Sequence, residues 1–216
     1  MESILLVNPS LAGISSTSFY VMPPGLLCLA AYMRERGYDV DILDINVEKA
    51  VTSVIAQIWR KNYSLVGVSI MVAGQLTQAR QILRLAKGYS IPTVVGGAHA
   101  SQFPKELLRN CTEIDFVVIG EGEEQLLGIA ESGKGVPGTA YRRYGSIVIQ
   151  SKLNYIADMD SLPMPAYNLV KFSDYVMDTT TWHNPYNIDF GVRVPLITSR
   201  GCPNLCNFCS VSKCMG

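Results

Sequence analysis

The chain has 216 residues, 48% of them hydrophobic and 17% charged, and its 18 Lys and Arg balance 18 Asp and Glu. That apolar content excludes a disordered chain, and the balanced charge offers no basic face to nucleic acid or to an acidic membrane surface. The length exceeds one ordinary domain and falls short of two.

The first apolar run, Ile4 to Val7, lacks the basic flank and long apolar core of an export signal. The uncharged stretch from Ser3 to Met33 is broken by Pro9, Pro23 and Pro24, so it cannot be a continuous membrane helix. A cytoplasmic protein is expected, in which the six cysteines serve metals or the core rather than disulfides. Four of the six fall in the last fifteen residues.

Strand and helix patterns alternate through the first half. Ile4 to Val7 forms a buried strand ending at Asn8-Pro9. Pro24 opens a helix with Leu26, Leu29, Ala30 and Met33 on one face, stopping at Gly37. Val40 to Leu43 is a second strand ending at Asp44. Val51, Val54, Ile55, Ile58 and Trp59 then follow an amphipathic helical repeat. Leu65 to Ser69 is strand three, and Leu76, Ala79, Leu83 and Ala86 stripe the next helix. Thr93 to Val95 runs into Gly96-Gly97 as strand four, and a short helix begins near Pro104. Asp115 to Ile119 is strand five, ending at Gly120-Glu121-Gly122 before a helix through Leu126, Leu127 and Ile129.

Five such units predict an α/β fold, a doubly wound five-stranded parallel sheet of the flavodoxin or Rossmann type. Its strands would all end on one edge, carrying Asn8, Asp44, Ser69, Gly96-Gly97 and Gly120-Glu121-Gly122. Open α/β sheets bind ligands at that edge, although tight strand-to-helix turns favour the same small residues. Glu123 and Glu124 at a helix start complement its dipole. Cys28 lies on an apolar helix face, Cys111 has no evident partner, and Trp59, Phe116 and Phe190 are packing material.

After Glu131 the pattern changes. Tyr141 to Ile149 predicts a hairpin turning at Gly145-Ser146, followed by a Pro- and Asp-rich linker from Asp158 to Tyr167 that continues to Asn187. Val192 to Ile197 is expected as one more strand, delivering Thr198-Ser199-Arg200-Gly201 and the cysteines. The expected division is therefore residues 1–131, then a hairpin and linker over 132–190, then a second unit begun at 191–216.

Cys202, Cys206 and Cys209 form C-x3-C-x2-C on a loop leaving a strand, and three thiolates so close can wrap one metal centre. Sulfur donors favour zinc or iron–sulfur. Cys214 is an available fourth ligand, which leaves a four-cysteine zinc or cluster site open.

With Phe208 just before its last cysteine, this motif resembles the signature of radical S-adenosylmethionine enzymes. The resemblance implies that Cys202, Cys206 and Cys209 bind three irons of a [4Fe-4S] cluster. The fourth iron would take S-adenosylmethionine, whose reductive cleavage yields a 5′-deoxyadenosyl radical, and Phe208 would pack near the adenine. Cys214 falls outside the motif. The upstream region resembles the cobalamin-binding domain that precedes this motif in one subgroup, through Pro23-Pro24-Gly25-Leu26, Val94 to Ser101, Asp115 to Glu123 and Asp160-Ser161-Leu162-Pro163. By that resemblance Asn8, Pro9, Pro24, Gly25, Ser69, Gly96, Gly97, His99, Glu121 and Gly122 would face the corrin. The D-x-H-x-x-G motif that gives cobalt a histidine is absent around both His99 and His183, so His99 is a turn or pocket residue.

Gly120-x-Gly122 lacks the third glycine of a dinucleotide-binding turn, and no phosphate-binding P-loop pattern occurs. The expectation is the N-terminal part of a cobalamin-dependent radical enzyme that methylates or rearranges an unactivated carbon. It would need a small-molecule substrate and an electron donor, and as a truncated chain it would not turn over alone. The alternative is a non-catalytic ligand-binding module with a zinc-stabilised tail. Substrate and oligomeric state are not legible in the sequence.

Overall fold

The computed structural model describes residues 2–10, 21–48, 50–151, 155–175, 194–204 and 206–214. His183, Asn187, Phe190, Val192 and Arg193 lie outside the described residues.

The strands are β1 (Ser3–Asn8), β2 (Asp39–Asp44), β3 (Tyr63–Ser69), β4 (Thr93–Gly96), β5 (Phe116–Val118), β6 (Thr139–Arg143) and β7 (Ser146–Ile149). They form one sheet in the order β2-β1-β3-β4-β5-β6-β7. The first five are parallel, as the apolar runs predicted. The expected hairpin does not stand apart: β6 pairs antiparallel with β5, and β7 with β6, so the sheet is seven-stranded and mixed. The hairpin turns one residue earlier than expected, at Tyr144-Gly145, where φ is 50° and 77°. Two consecutive positive φ values match the twist of the strands they join.

Helices follow each parallel strand: α1 (Pro24–Glu35), α2 (Ile45–Glu48), α3 (Thr52–Arg60), α4 (Leu76–Gly88), α5 (Ala98–Gln102), α6 (Pro104–Asn110) and α7 (Glu123–Ser132). Pro24 fits the first turn of α1, where a missing N–H costs nothing, and Gly37 at φ +85° releases the chain beyond its end. Alternate side chains of each strand feed two cores. Leu5, Val7, Val66, Val68, Val95 and Val117 face α3, α4 and α6. Ile4, Leu6, Leu65, Val94 and Val118 face α1 and α7. Trp59 departs from its helical stripe: it is 75% exposed, and its indole N–H donates to the Tyr89 hydroxyl at 2.5 Å.

Arg142 of β6 fastens the hairpin to α6. Its guanidinium donates to the carbonyls of Leu108, Cys111 (2.6 Å) and Ile114 (2.6 Å), at the end of α6 and in the loop beyond it. The segment after the hairpin also packs on the domain. Ala166 N–H donates to the Leu27 carbonyl at 3.0 Å, and Tyr175 joins Met22 and Leu27 in a third buried cluster.

Residues 194–200 are not a strand, contrary to expectation. A strand needs a partner for its backbone, and no described segment pairs with this one. Val194 and Leu196 are accordingly exposed. The cysteine loop follows and ends in a single helical turn, α8 (Val211–Cys214).

Candidate functional site

In this strand order the winding of the sheet switches sides between β1 and β3, the two strands staying parallel, which opens a crevice at their carboxyl ends. Register places Asn8 beside Asp44 and Ser69 beside Gly96. The structure thus gathers Asn8, Ser69, Gly96, Gly97, Glu121 and Gly122 along one edge, with Gly25 in the first turn of α1 following the β1 connection.

Asn8 is not free to face a ligand with its amide. Its Nδ2 donates to Asp44 Oδ1 at 3.0 Å, which also accepts from Asn46 N (3.0 Å) and Asn46 Nδ2 (2.8 Å). The Tyr175 hydroxyl donates to Oδ2 at 3.0 Å. Burial pushes the Asp44 carboxyl above its ordinary range, and these donors oppose the shift. Pro9 is buried, and its carbonyl accepts from Gln75 Nε2 at 2.7 Å while Gln75 Oε1 accepts from Met71 N–H at 2.8 Å. One buried glutamine therefore staples the β1 loop to the β3 loop.

Gly97 has φ +98° and ψ 176°, and a Cβ there would stand 2.7 Å from the Ile70 carbonyl oxygen. Only glycine permits this approach, which Ile70 and His99 complete: Ile70 N–H donates to Gly96 O at 2.7 Å, and His99 N–H to Ile70 O at 3.1 Å. Gly25 is exposed with no neighbour within 4 Å of a Cβ. His99 stacks at a tilt on Phe103, ring centroids 4.9 Å apart, and burial pushes its pKa down, favouring the neutral ring. It lines a cleft of about 320 Å³ with Ile70, Leu76, Leu83 and Ile114, consistent with a pocket residue. The connections along this edge also expose Val21, Met71, Val72 and Phe103. A flat apolar ligand with polar margins suits such small backbone positions and apolar rims.

The β5 loop does something else. Glu121 and Glu123 are both buried, and Arg200 reaches them: Nη2 to Glu123 Oε1 at 2.5 Å and Nη1 to Glu121 Oε1 at 3.5 Å. Glu121 Oε2 also accepts from Ile156 N–H at 3.0 Å. Glu123 stands at the helix start as expected, its Oε2 accepting from Gly122 N–H, but it is buried against Arg200 whereas Glu124 is exposed. Cys28 is half-buried beside the same Arg200; burial raises its pKa and the guanidinium partly offsets that. Neither Glu123 nor Arg200 could be paired from the sequence, because 77 residues separate them.

Cys202 and Cys209 are half-buried, Cys206 is exposed, and all three are free thiols. Cys209 N–H donates to the Cys206 carbonyl at 3.0 Å, placing both on one turn. Among the described residues no three Cys, His, Asp or Glu side chains converge to metal-binding distance. The donor set suits iron or zinc, yet the loop is not pre-assembled as a cradle. Cys214 is buried, burial raises its thiol pKa, and its carbonyl would lie 2.6 Å from a Cβ on Gly120. Phe208 is 93% exposed. Cys111 does have a partner, its thiol donating to Glu113 at 3.1 Å.

A B12 binding domain family model matches residues 11–130. An uncharacterized methyltransferase of Pyrococcus horikoshii is 32% identical, the match covering 100% of this chain and 46% of that protein. The cytidylyl-2-hydroxyethylphosphonate methyltransferase of Streptomyces wedmorensis is 28% identical over 100% of this chain and 49% of its own length. The chain thus spans less than half the length of these curated relatives. Among solved structures, the cobalamin-dependent S-adenosylmethionine radical enzyme OxsB, with aqua-cobalamin and S-adenosylmethionine bound, matches with TM-score 0.68 at 19% identity. That match covers 78% of this chain and 24% of OxsB. The radical S-adenosylmethionine methyltransferase TsrM from Kitasatospora setae, with cobalamin and a [4Fe-4S] cluster bound, matches with TM-score 0.61 at 22% identity, over 80% of this chain and 33% of TsrM. At such identities the structural likeness establishes the fold. No helix among the described residues is long and apolar enough to cross a membrane. The family match spans more than half of the chain, from residue 11 to residue 130: the chain belongs to the B12-binding domain family, with methyltransferases among its homologues.

Proposed function

We propose that this chain is the cobalamin-binding part of a radical S-adenosylmethionine enzyme, holding cobalamin at the carboxyl edge of its parallel strands and a [4Fe-4S] cluster on Cys202, Cys206 and Cys209. The reaction class is methyl transfer to, or radical rearrangement at, an unactivated carbon of a small molecule. What supports this most is the seating of the cysteine loop on the same sheet edge that carries the glycine crevice. The small residues Gly25, Gly96 and Gly97 let a macrocycle approach backbone, and the exposed Val21, Met71, Val72 and Phe103 offer it apolar contact. No histidine is positioned by a D-x-H-x-x-G turn, so cobalt would take no axial imidazole from such a motif. Bound to the three thiols, a cluster would supply the electron that cleaves S-adenosylmethionine, with an external donor restoring it. The chain's own contribution would be to hold the two groups at one edge and to supply three thiolates only, so that the fourth iron is left for S-adenosylmethionine.

The alternative of a four-cysteine zinc tail is disfavoured by Cys214, which is buried with its backbone against Gly120. Anaerobic reconstitution with iron and sulfide tests the reading, together with titration of hydroxocobalamin. The expected result is bound iron with acid-labile sulfide, lost in Cys202→Ala, Cys206→Ala or Cys209→Ala and kept in Cys214→Ala. Zinc without sulfide would overturn the cluster assignment, and an unchanged cobalamin spectrum would overturn the other.

A further inference from the structure

The cysteine loop is tied to the sheet at both ends. At its start, Arg200 inserts between two buried carboxylates, with its own side chain 13% exposed and those of Glu121 and Glu123 2% and 4%. Glu123 is fixed in turn, its Oε2 accepting from Gly122 N–H at 3.1 Å at the first turn of α7. At the loop's end, Gln102 Nε2 donates to Ser210 Oγ at 3.0 Å, and the Cys214 backbone lies on Gly120. Gly120, at φ +83°, donates its N–H to Ser101 Oγ at 3.0 Å. All these partners belong to two adjacent strand-to-helix connections, those after β4 and β5.

A hydrophobic anchor could hold a loop loosely at many registers, because apolar contact has no direction. A guanidinium between two carboxylates cannot slide, since its donors must meet fixed acceptors and leaving them buried and unpaired is costly. Arg200 lies two residues before Cys202, so this pair fixes where the cysteine loop begins relative to the sheet edge.

We propose that Arg200, with Glu121 and Glu123, is a positioning latch that sets the placement of the cysteine loop over the cobalamin edge. This deepens the function proposed above and rests on it. Arg200 touches neither cofactor in this account; it acts through the loop. The latch also explains why the loop after β5 carries two buried acids where a tight turn needs none.

Hydrogen exchange of the full chain without cofactors tests the latch itself. In Glu123→Gln or Arg200→Ala, exchange of amides in 201–214 should rise roughly a hundredfold, with β1 and β3 unchanged as an internal standard for folding. Arg200→Lys, which keeps the charge, should retain much of the protection. Unchanged exchange at 201–214 in Glu123→Gln overturns the proposal, as does a loss spread equally over the sheet. A second arm uses the chain reconstituted with iron, sulfide and cobalamin. Magnetic broadening of the Co(II) resonance by the reduced cluster should diminish in Glu123→Gln at unchanged iron and cobalamin content. Undiminished broadening with a released loop would refute a positioning role. If the unsubstituted chain takes up neither cofactor, the proposed function fails, while the exchange arm still decides the latch.

Discussion

Gly97→Ala should destabilise the domain by both backbone strain and a backbone clash. At φ +98° and ψ 176° this residue occupies a region open essentially to glycine, and a side chain there costs about 1–3 kcal/mol. The added Cβ would also meet three backbone atoms of Ile70, at 2.7, 3.0 and 3.2 Å. Backbone cannot rotate away as a side chain can, so forcing the loops apart adds about 1–3 kcal/mol. The sum, about 2–6 kcal/mol, is a large share of the roughly 5–15 kcal/mol that holds a domain together. At about 2–4 °C per kcal/mol for a chain of this size, Tm falls by at least roughly 4 °C. Gly37→Ala is the internal comparison, since φ is +85° there but no atom lies within 4 Å of its Cβ. It carries backbone strain without a clash, and its Tm should fall clearly less. Thermal unfolding followed by circular dichroism measures both. Equal shifts in the two variants, or a shift below 1 °C for Gly97→Ala, would refute the close approach between the β3 and β4 loops.

Two further outcomes follow from the charges. Tyr175→Phe removes one of four donors to the buried Asp44 and should cost about 1.5–3 kcal/mol near neutral pH. Asp44 has a raised pKa, so its ionised form is disfavoured in the fold above that value and the unfavourable contribution disappears below the ordinary carboxylate range. The lost bond served the ionised form, so denaturant titrations should find the Tyr175→Phe penalty smaller at pH 4 than at pH 7; an unchanged penalty would argue against it. Glu113 behaves oppositely. Burial pushes its pKa up, but Arg84 at 2.7 Å, the Cys111 thiol and Arg80 outweigh it and bring the carboxyl to about 2. Its stabilising contribution is complete above pH 4.5 and lost as pH falls toward about 2, so Glu113→Gln should flatten acid unfolding in that window. Identical acid titrations of variant and parent would count against the pairing.

The parallel strands and their order of appearance were legible because each depends on neighbours in sequence. Ile4 to Val7 is continuous apolar sequence because both its faces are covered, and Pro24 and Gly37 mark a helix by local backbone chemistry. The crevice was legible for a related reason: a sheet of this winding collects its strand ends on one edge, and the residues there are small. The sequence also marked the three cysteines, by spacing alone, as a donor set on one loop. Absent from any local pattern were the partners of charged and polar groups. Asp44 looks like an ordinary strand end until Tyr175 arrives from 131 residues away. Glu123 looks like a helix-dipole acid until Arg200 buries it.

The hairpin shows the same division. Its existence was written in Tyr141 to Ile149, but its attachment to β5 was not, because Arg142 finds its three carbonyls only when α6 stands beside it. The expected strand at Val192 to Ile197 failed in its described part for the converse reason: β propensity proposes a strand, and only a partner's backbone makes one. Sequence alone therefore determined the five parallel strands and the small residues at their carboxyl ends, since these follow from periodicity and turn chemistry over a few residues. Tertiary structure decided which buried charges are neutralised, how the hairpin completes the sheet and where the cysteine loop is held. Those depend on groups far apart in the chain, whose burial is tolerated only once the fold has brought their partners within hydrogen-bonding reach.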